Sequence, residues 1–239
     1  MNVLVVIPTY NERDNLPDLV RAILARDGFH VMVVDDASPD GTGATADALA
    51  LEFPGRVDVM HRTGKRGLGR SYVDGLTRAL DLGTADVICQ MDADWSHDPK
   101  YLPDLIAATA DHDVVIGSRY LQGVSVVNWP LQRLFLSTFA NRYIRAITGL
   151  AIHDCTSGFR CWRRETLAKL PLEQVVSDGY AFLVEMIFEA HARGARIGEV
   201  PIIFVERRMG ASKLSGNVVF ESMLTPWRLR LRYLFKAPQ

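Results

Sequence analysis

The chain has little cysteine: Cys89, Cys155 and Cys161 are the only three in 239 residues. A sparse, odd set cannot build a disulfide framework and suits reduced thiols in a cytosolic protein. No second cysteine pair or spaced histidine pair accompanies Cys155 and Cys161, so core packing is expected of them rather than metal ligation. An excess of charge of one sign is missing too. The formal net charge is -1, so bulk electrostatics does not suggest a nucleic-acid partner, and none is expected. No uncharged apolar run reaches the roughly 18 residues that a membrane-spanning helix needs. The N-terminal run lacks a basic flank and a small-residue cleavage site, which makes it a poor signal peptide. Internal repeats and low-complexity linkers are absent as well.

What is present is a 48% hydrophobic, 23% charged composition, enough for a substantial core. Val3-Leu4-Val5-Val6-Ile7 reads as a buried strand that Pro8 stops. Asp14 to Arg26 follows with helical spacing. Val31 to Val34 is a second strand ending in Asp35-Asp36, and Ser38-Pro39-Asp40-Gly41 is turn chemistry. Thr42 to Phe53 (helix), Val57 to Met60 (strand), Leu68 to Leu82 (helix), Val87 to Met91 (strand) and Pro99 to Ala110 (helix) continue the alternation. Val114 to Ile116 is a strand stopped by Gly117. This pattern implies an open α/β sheet, mostly parallel and flanked by helices. Ligands of such sheets bind at the carboxyl ends of the strands. Asp35-Asp36, Asp92-Asp94 and Ser118-Arg119 all fall there.

The pattern changes after Tyr120. Residues 124–150 are apolar but carry Arg133, Arg142 and Arg145. Residues 158–162 read as a strand, Tyr180 to Arg193 as a helix, and Val200 to Val205 as another strand. The expected organisation is one domain, residues 1–211, with a C-terminal extension, 212–239. In the extension Thr225-Pro226 reads as the cap and first residue of a last helix. Trp227, Leu231, Leu234 and Phe235 form an apolar stripe on it, flanked by Arg228, Arg230, Arg232 and Lys236. Such a helix suits an anionic membrane surface, and equally a dock on its own domain or on a partner.

Asp92-Ala93-Asp94 ends an apolar strand with two carboxylates. Residues i and i+2 of an extended segment share a face, and like charges that close resist desolvation. A divalent cation makes the pair tolerable. Mg²⁺ or Mn²⁺ takes a few carboxylate oxygens and completes its shell with water and phosphate, clamping a diphosphate leaving group. Ser96 and His97 are candidates to complete or orient that shell, although His97 also fits a merely exposed position. A solvated turn explains an isolated D-x-D equally well.

In Pro8-Thr9-Tyr10-Asn11-Glu12, Tyr10 can lie against a base or ribose and Glu12 can accept hydrogen bonds; Asn11 or Asp14 can also cap the helix. Val34-Asp35-Asp36 suits base N–H groups or ribose hydroxyls, or a plain turn. Lys65 to Arg70, with glycines at a helix start, attracts phosphate without P-loop spacing. Arg207 and Lys213 flank a glycine-containing loop that can close over a diphosphate, or form a basic linker. Gly41 to Ala46, "GTGATA", imitates a dinucleotide fingerprint. It follows the second strand rather than the first, and its acid precedes it.

The stretches "PTYNE", "VVDDASPDGT", "GKRGLGRS", "MDADWSHDP", "GSRY", "DCTSGFR", "DGYAFLVEM" and "FVERRMGASK" together resemble the family-2 glycosyltransferases of GT-A fold, and within them the dolichyl- or polyprenyl-phosphate mannose synthases. The resemblance runs from residue 4 to about 213, and the order of the set makes it specific. It implies that Pro8, Tyr10, Glu12, Val34 and Asp36 hold the nucleoside of GDP-mannose. Asp92, Ala93 and Asp94 would hold the metal diphosphate, with Ser96 beside the metal. Arg119, Arg207 and Lys213 would contact phosphates or sugar, and Arg133 the phosphate of a polyprenyl acceptor. Asp94, Arg119 and Arg133 are the candidates for the chemistry. Family members of this short type are expected on the cytoplasmic face of a membrane, attached by surface helices or a membrane-protein partner. Rival readings are a UDP-sugar donor (glucose, GlcNAc or an aminosugar), an NAD-dependent oxidoreductase using "GTGATA", and a non-catalytic membrane-surface module.

Overall fold

The computed structural model describes residues 1–64, 67–175, 177, 179–206 and 216–234. The first half alternates as the sequence implies: β1 Val3–Thr9, α1 Leu16–Leu24, β2 Phe29–Asp35, α2 Thr42–Glu52, β3 Val57–His61, α3 Leu68–Leu82, β4 Val87–Gln90, α4 Leu102–Ala108 and β5 Val114–Ser118. A 3-10 turn, Pro99–Tyr101, leads into α4. The second half holds β6 Val126–Val127, α5 Leu131–Thr148, β7 Arg160–Arg163, α6 Arg164–Leu167, α7 Gly179–Ala192, β8 Ile197–Pro201, β9 Phe204–Val205 and α8 Gly216–Leu234.

Seven strands form one sheet in the order β3-β2-β1-β4-β7-β5-β8. All run parallel except β7, which pairs antiparallel with β4 and β5. Alternation along β1 builds both layers. Val3, Val5 and Ile7 pack with Leu16, Leu19 and Ile23 of α1, whereas Leu4 and Val6 pack with Tyr72 and Leu76 of α3. Each strand is therefore apolar on both faces, as buried parallel strands require. Helix α3 lies close because Gly75 faces the sheet: a Cβ there would sit 2.6 Å from Val6 Cγ1 and 2.8 Å from Val34 Cγ2. The strand order reverses direction between β1 and β4, and a crevice opens beside the carboxyl ends of strands at such a point.

Several boundaries differ from the sequence expectation. Pro8 does not stop β1, which continues to Thr9. The ladder to β4 ends at Val6↔Gln90, so the N–H that Pro8 lacks is not required there. Gly117 does not stop β5, which runs to Ser118 and pairs there with Pro201. The apolar run 200–205 is two strands: the chain leaves β8 at Pro201, buries Ile202 beneath Gly117, and re-forms as β9 against β6. Helix α1 is capped at Asn15, not at Asn11 or Asp14.

Thr225-Pro226 does not begin the last helix. Pro226 lies inside α8, although an interior proline costs a helix about 3 kcal/mol. Tertiary contacts offset this. Leu229 is buried, Arg232 reaches Glu185 and Glu189 of α7, and Trp227 Nε1 donates to Tyr143 of α5 at 2.9 Å. Trp227 and Leu231 remain about half exposed; Phe235 and Lys236 lie outside the described residues. No described helix is long and apolar enough to cross a membrane.

Candidate active site

A cavity of about 420 Å³ opens at the carboxyl ends of β1, β2, β4 and β5, where the strand order reverses. Pro8, Tyr10, Glu12, Asp36, Asp92, Ala93, Asp94, Ser96, Arg119 and Arg133 all line it. Residues up to 125 positions apart in sequence are thus brought to one place. Val34 is not among them. Its side chain is fully buried beneath α3, because in a strand alternate residues face opposite ways. Arg207, Lys213, Lys65 and Arg66 lie outside the described residues.

The two acids after β4 are held differently. Asp92 Oδ1 accepts from the Tyr72 hydroxyl at 2.7 Å, and the Asp92 N–H donates to His97 Nδ1 at 3.0 Å. His97 is therefore buried rather than exposed, stacked on Phe159 with its Nε2 4.0 Å from Asp92 Oδ2. Asp94 Oδ1 accepts from the Ser96 N–H at 3.1 Å and from its hydroxyl at 2.6 Å. Ser96 thus lines the cavity and at the same time holds Asp94. Trp95 between them adopts φ 63°, a left-handed backbone that costs a non-glycine residue of order 1 kcal/mol or more. The bend lets Ser96 fold back onto Asp94.

Tyr72 carries no signal in the local pattern beyond its place on the buried face of α3. Burial, and then the Asp92 carboxylate, push its phenol well above the usual range, so it stays protonated and donates. Partners that orient a metal-binding group are worth about 10- to 100-fold when removed. Tyr72→Phe is expected to raise the Mg²⁺ or Mn²⁺ concentration for half-maximal activity by about that factor, while thermal unfolding moves little. An unchanged metal dependence would remove Tyr72 from the site.

Among the described residues, the donors to the Asp92 and Asp94 carboxylates include a phenol, a hydroxyl and one backbone N–H, with the His97 ring 4.0 Å from Asp92. No cluster of three His, Cys, Asp or Glu side chains occurs among the described residues. Two hard carboxylates opening on the cavity, with no third such ligand grouped with them among the described residues, match the way Mg²⁺ is held by one or two carboxylates plus water and substrate phosphate. The residues present thus fit a divalent cation that arrives with a diphosphate.

At the end of β2, Asp35 and Asp36 are held differently. Asp35 is a turn residue, accepting from Ser38 N at 3.3 Å and Thr9 Oγ1 at 3.4 Å. Asp36 lines the cavity and accepts from buried Arg62 and from Gly67 N at 3.1 Å. Arg62, at the end of β3, also holds Asp74 and Ser71, and its Nη2 is buried without a hydrogen-bond partner. "GTGATA" is the start of α2: Gly41 takes φ 92°, and Thr42 Oγ1 accepts from Glu12 N at 2.9 Å.

The arginines are less available than their number suggests. Arg119 is buried and grips Asp154 through Nε and Nη2, both at 2.7 Å. It lines the cavity while its charge is paired with Asp154. Burial raises the pKa of Asp154, but the Arg119 charge and hydrogen bonds outweigh it and hold the carboxyl below its ordinary value. Arg133 lies over the Trp129 ring, 4.1 Å from its centroid, and pairs with Glu206. Arg160 is fully buried, donating to the carbonyls of Ser157, Leu183 and Cys155, and burial lowers its pKa to about 10. Asp154 and Arg160 both belong to "DCTSGFR", which marked the stretch without assigning them roles. The three cysteines are buried, as their expected packing role requires.

A helix-flanked, mostly parallel sheet with an acid pair at its switch point is the GT-A type of glycosyltransferase fold. The chain belongs to glycosyltransferase family 2, whose model, described as "Glycosyl transferase family 2", matches residues 4–170. The polyprenol monophosphomannose synthase of Mycolicibacterium smegmatis is 50% identical over 233 residues, 96% of this chain and 88% of that protein. The undecaprenyl-phosphate mannosyltransferase of Micrococcus luteus is 47% identical over 236 residues, 98% and 96% of the two chains. Among solved structures, glucosyl-3-phosphoglycerate synthase from Mycobacterium tuberculosis with Mn²⁺, UDP and phosphoglyceric acid gives a TM-score of 0.72 at 18% identity, covering 96% of this chain and 78% of that one. The same protein with Mn²⁺ and UDP-glucose gives 0.70 at 18% identity, covering 99% and 80%. At that identity the likeness is one of fold.

Proposed function

We propose that the chain transfers mannose from GDP-mannose to a polyprenyl phosphate with inversion, giving polyprenyl phosphate β-mannose and GDP. The observation that carries this is the Asp92–Asp94 pair at the switch-point cavity, in a chain half identical to relatives named for mannosyl transfer to such carriers. Tyr10, Glu12 and Asp36 bind the nucleoside from the β1 and β2 ends. Asp92 and Asp94, set by Tyr72, His97 and Ser96, hold Mg²⁺ or Mn²⁺, which when bound supplies charge stabilisation to the departing diphosphate.

Arg133, on the first turn of α5, receives the acceptor phosphate in exchange for Glu206. The acceptor oxygen is already anionic at neutral pH, so the displacement at the anomeric carbon needs no general base. Positioning and leaving-group stabilisation then account for the rate. Arg119 fixes the sugar-side wall together with Asp154. Arg207 and Lys213 are assigned to the diphosphate from the sequence alone. Residues 1–211 form the catalytic unit; residues 212–239, with α5, place it on the cytoplasmic face of a membrane. Solvent-exposed Leu131 and Phe135, each 71% exposed, and Phe139, 63% exposed, support that placement, because apolar groups so grouped mark a contact surface.

The test is a screen of purified full chain with Mn²⁺ or Mg²⁺, labelled GDP-mannose or UDP-glucose, and a short-chain polyprenyl phosphate. Mannosyl lipid from GDP-mannose alone is the expected product. Transfer from UDP-glucose and not GDP-mannose overturns the donor assignment.

A further inference from the structure

A second opening lies along the side of α5 away from Arg133. It encloses about 690 Å³, and its lining includes Tyr120, Thr138, Asn141, Arg142, Arg145 and His153. The two openings share a wall. Tyr120 follows Arg119 in sequence, and Asn141 Nδ2 donates at 3.3 Å to Thr156 Oγ1, which accepts from Arg119. None of the residues assigned to the transfer reaction lines it.

Arg142 and Arg145 are three residues apart on α5, so they and Thr138 project on one side of it. Both are exposed and neither has an ion-pair partner among the described residues. The acid that meets His153, Glu199, is already engaged: its carboxylate accepts from the N–H groups of His153 and Asp154, and it pairs with the His153 ring at 2.8 Å. The opening is therefore cationic. At about 100° per residue, Leu131, Phe135 and Phe139 share one side of α5 and are exposed; Arg142 and Arg145 continue that side towards the helix C-terminus, whereas Arg133 projects from the opposite side. Trp227 and Leu231 of α8 extend the apolar face beyond Tyr143.

An apolar face edged by arginines is the arrangement an interfacial helix needs: apolar side chains enter the acyl boundary while cations meet phosphates at headgroup level. We propose that the α5 cleft holds the phosphate headgroup of an anionic phospholipid of the bilayer. This lipid is distinct from the acceptor, whose phosphate goes to Arg133. The proposal rests on the reading that the enzyme works at a membrane surface.

The experiment is flotation of the full chain with phosphatidylcholine vesicles, with and without phosphatidylglycerol. Mannosyl transfer to a water-soluble short-chain acceptor is measured in parallel. Wild type is expected to prefer the anionic vesicles. Arg142→Gln with Arg145→Gln is expected to lower that binding roughly 30-fold, leaving soluble-acceptor transfer and phosphatidylcholine binding unchanged. Arg142→Lys with Arg145→Lys keeps most of it. Equal wild-type binding to both vesicle types overturns the proposal. So does unchanged binding of the glutamine variant, an equal loss in the distant control Arg78→Gln with Arg164→Gln, or full competition by glycerol phosphate, which would make the cleft a free-anion site. If soluble-acceptor transfer is absent while the phosphatidylglycerol preference persists, the functional reading fails and the lipid site stands.

Discussion

Asp94→Ala is expected to reduce mannosyl transfer by roughly 10³-fold or more, the several kcal/mol of charge stabilisation that a bound cation supplies. Asp94 is 8% exposed, yet it stands on the loop after β4 and its described contacts are with Ser96. Its loss removes a charge from the cavity and the acceptor of the Ser96 hydroxyl and N–H. A change in unfolding free energy of about 1–2 kcal/mol is expected, with the far-ultraviolet spectrum unchanged. Binding of GDP in the presence of Mn²⁺, followed by calorimetry, is expected to weaken with the rate, whereas binding of GDP without metal is not. A variant that keeps full activity with metal present would end the assignment of Asp92-Ala93-Asp94 to the diphosphate. Asp94→Asn separates charge from shape: it retains an acceptor for Ser96 and is expected to lose nearly as much activity.

The largest effect on stability is expected at Asp154. Its carboxylate is fully buried and accepts from Arg119 Nε, Nη2 and backbone N–H. Asp154→Ala leaves the Arg119 guanidinium buried without its counter-charge, a loss of about 3–5 kcal/mol. Domains of this kind are stable by only about 5–15 kcal/mol, so the variant should unfold at far lower urea. Adding Arg119→Met is expected to restore part of the loss, since the stranded charge goes with it.

The pH dependence follows from the direction of the shift. The folded pKa of Asp154 lies below its ordinary value, near 3.9 in an unfolded chain. Its contribution is present above the unfolded pKa and disappears as pH falls through the folded one. The stability gap between wild type and Asp154→Ala should therefore narrow in acid below about pH 4. A gap that is small at neutral pH, or constant into acid, would mean the pair contributes little.

The surface of α5 and α8 that is proposed to meet a membrane shows how far local pattern reaches. Both arginine-studded α5 and the stripe on α8 are legible as amphipathic segments. Their composition leaves open whether the stripe is covered or exposed. In the folded chain α8 does both: Leu229 is buried while Trp227 and Leu231 stay open. The proline that reads as a helix start sits in mid-helix, because contacts with α5 and α7 offset what the local backbone loses.

The alternation of apolar runs and helical spacings, by itself, determined a mostly parallel α/β sheet and the acids near its strand ends, although Pro8 and Gly117 did not mark those ends. Those are local properties, set by period and by where the apolar run stops. Tertiary structure alone decided the partners. It inserted β7 antiparallel between β4 and β5, and brought Tyr72 to Asp92, Arg62 to Asp36 and Asp154 to Arg119. Hydrogen bonds and ion pairs act over a few ångströms of space and are indifferent to separation along the chain. A side chain's charge can be read from its letter, but whether that charge is offered to a substrate or held by another residue appears only once the chain has closed on itself.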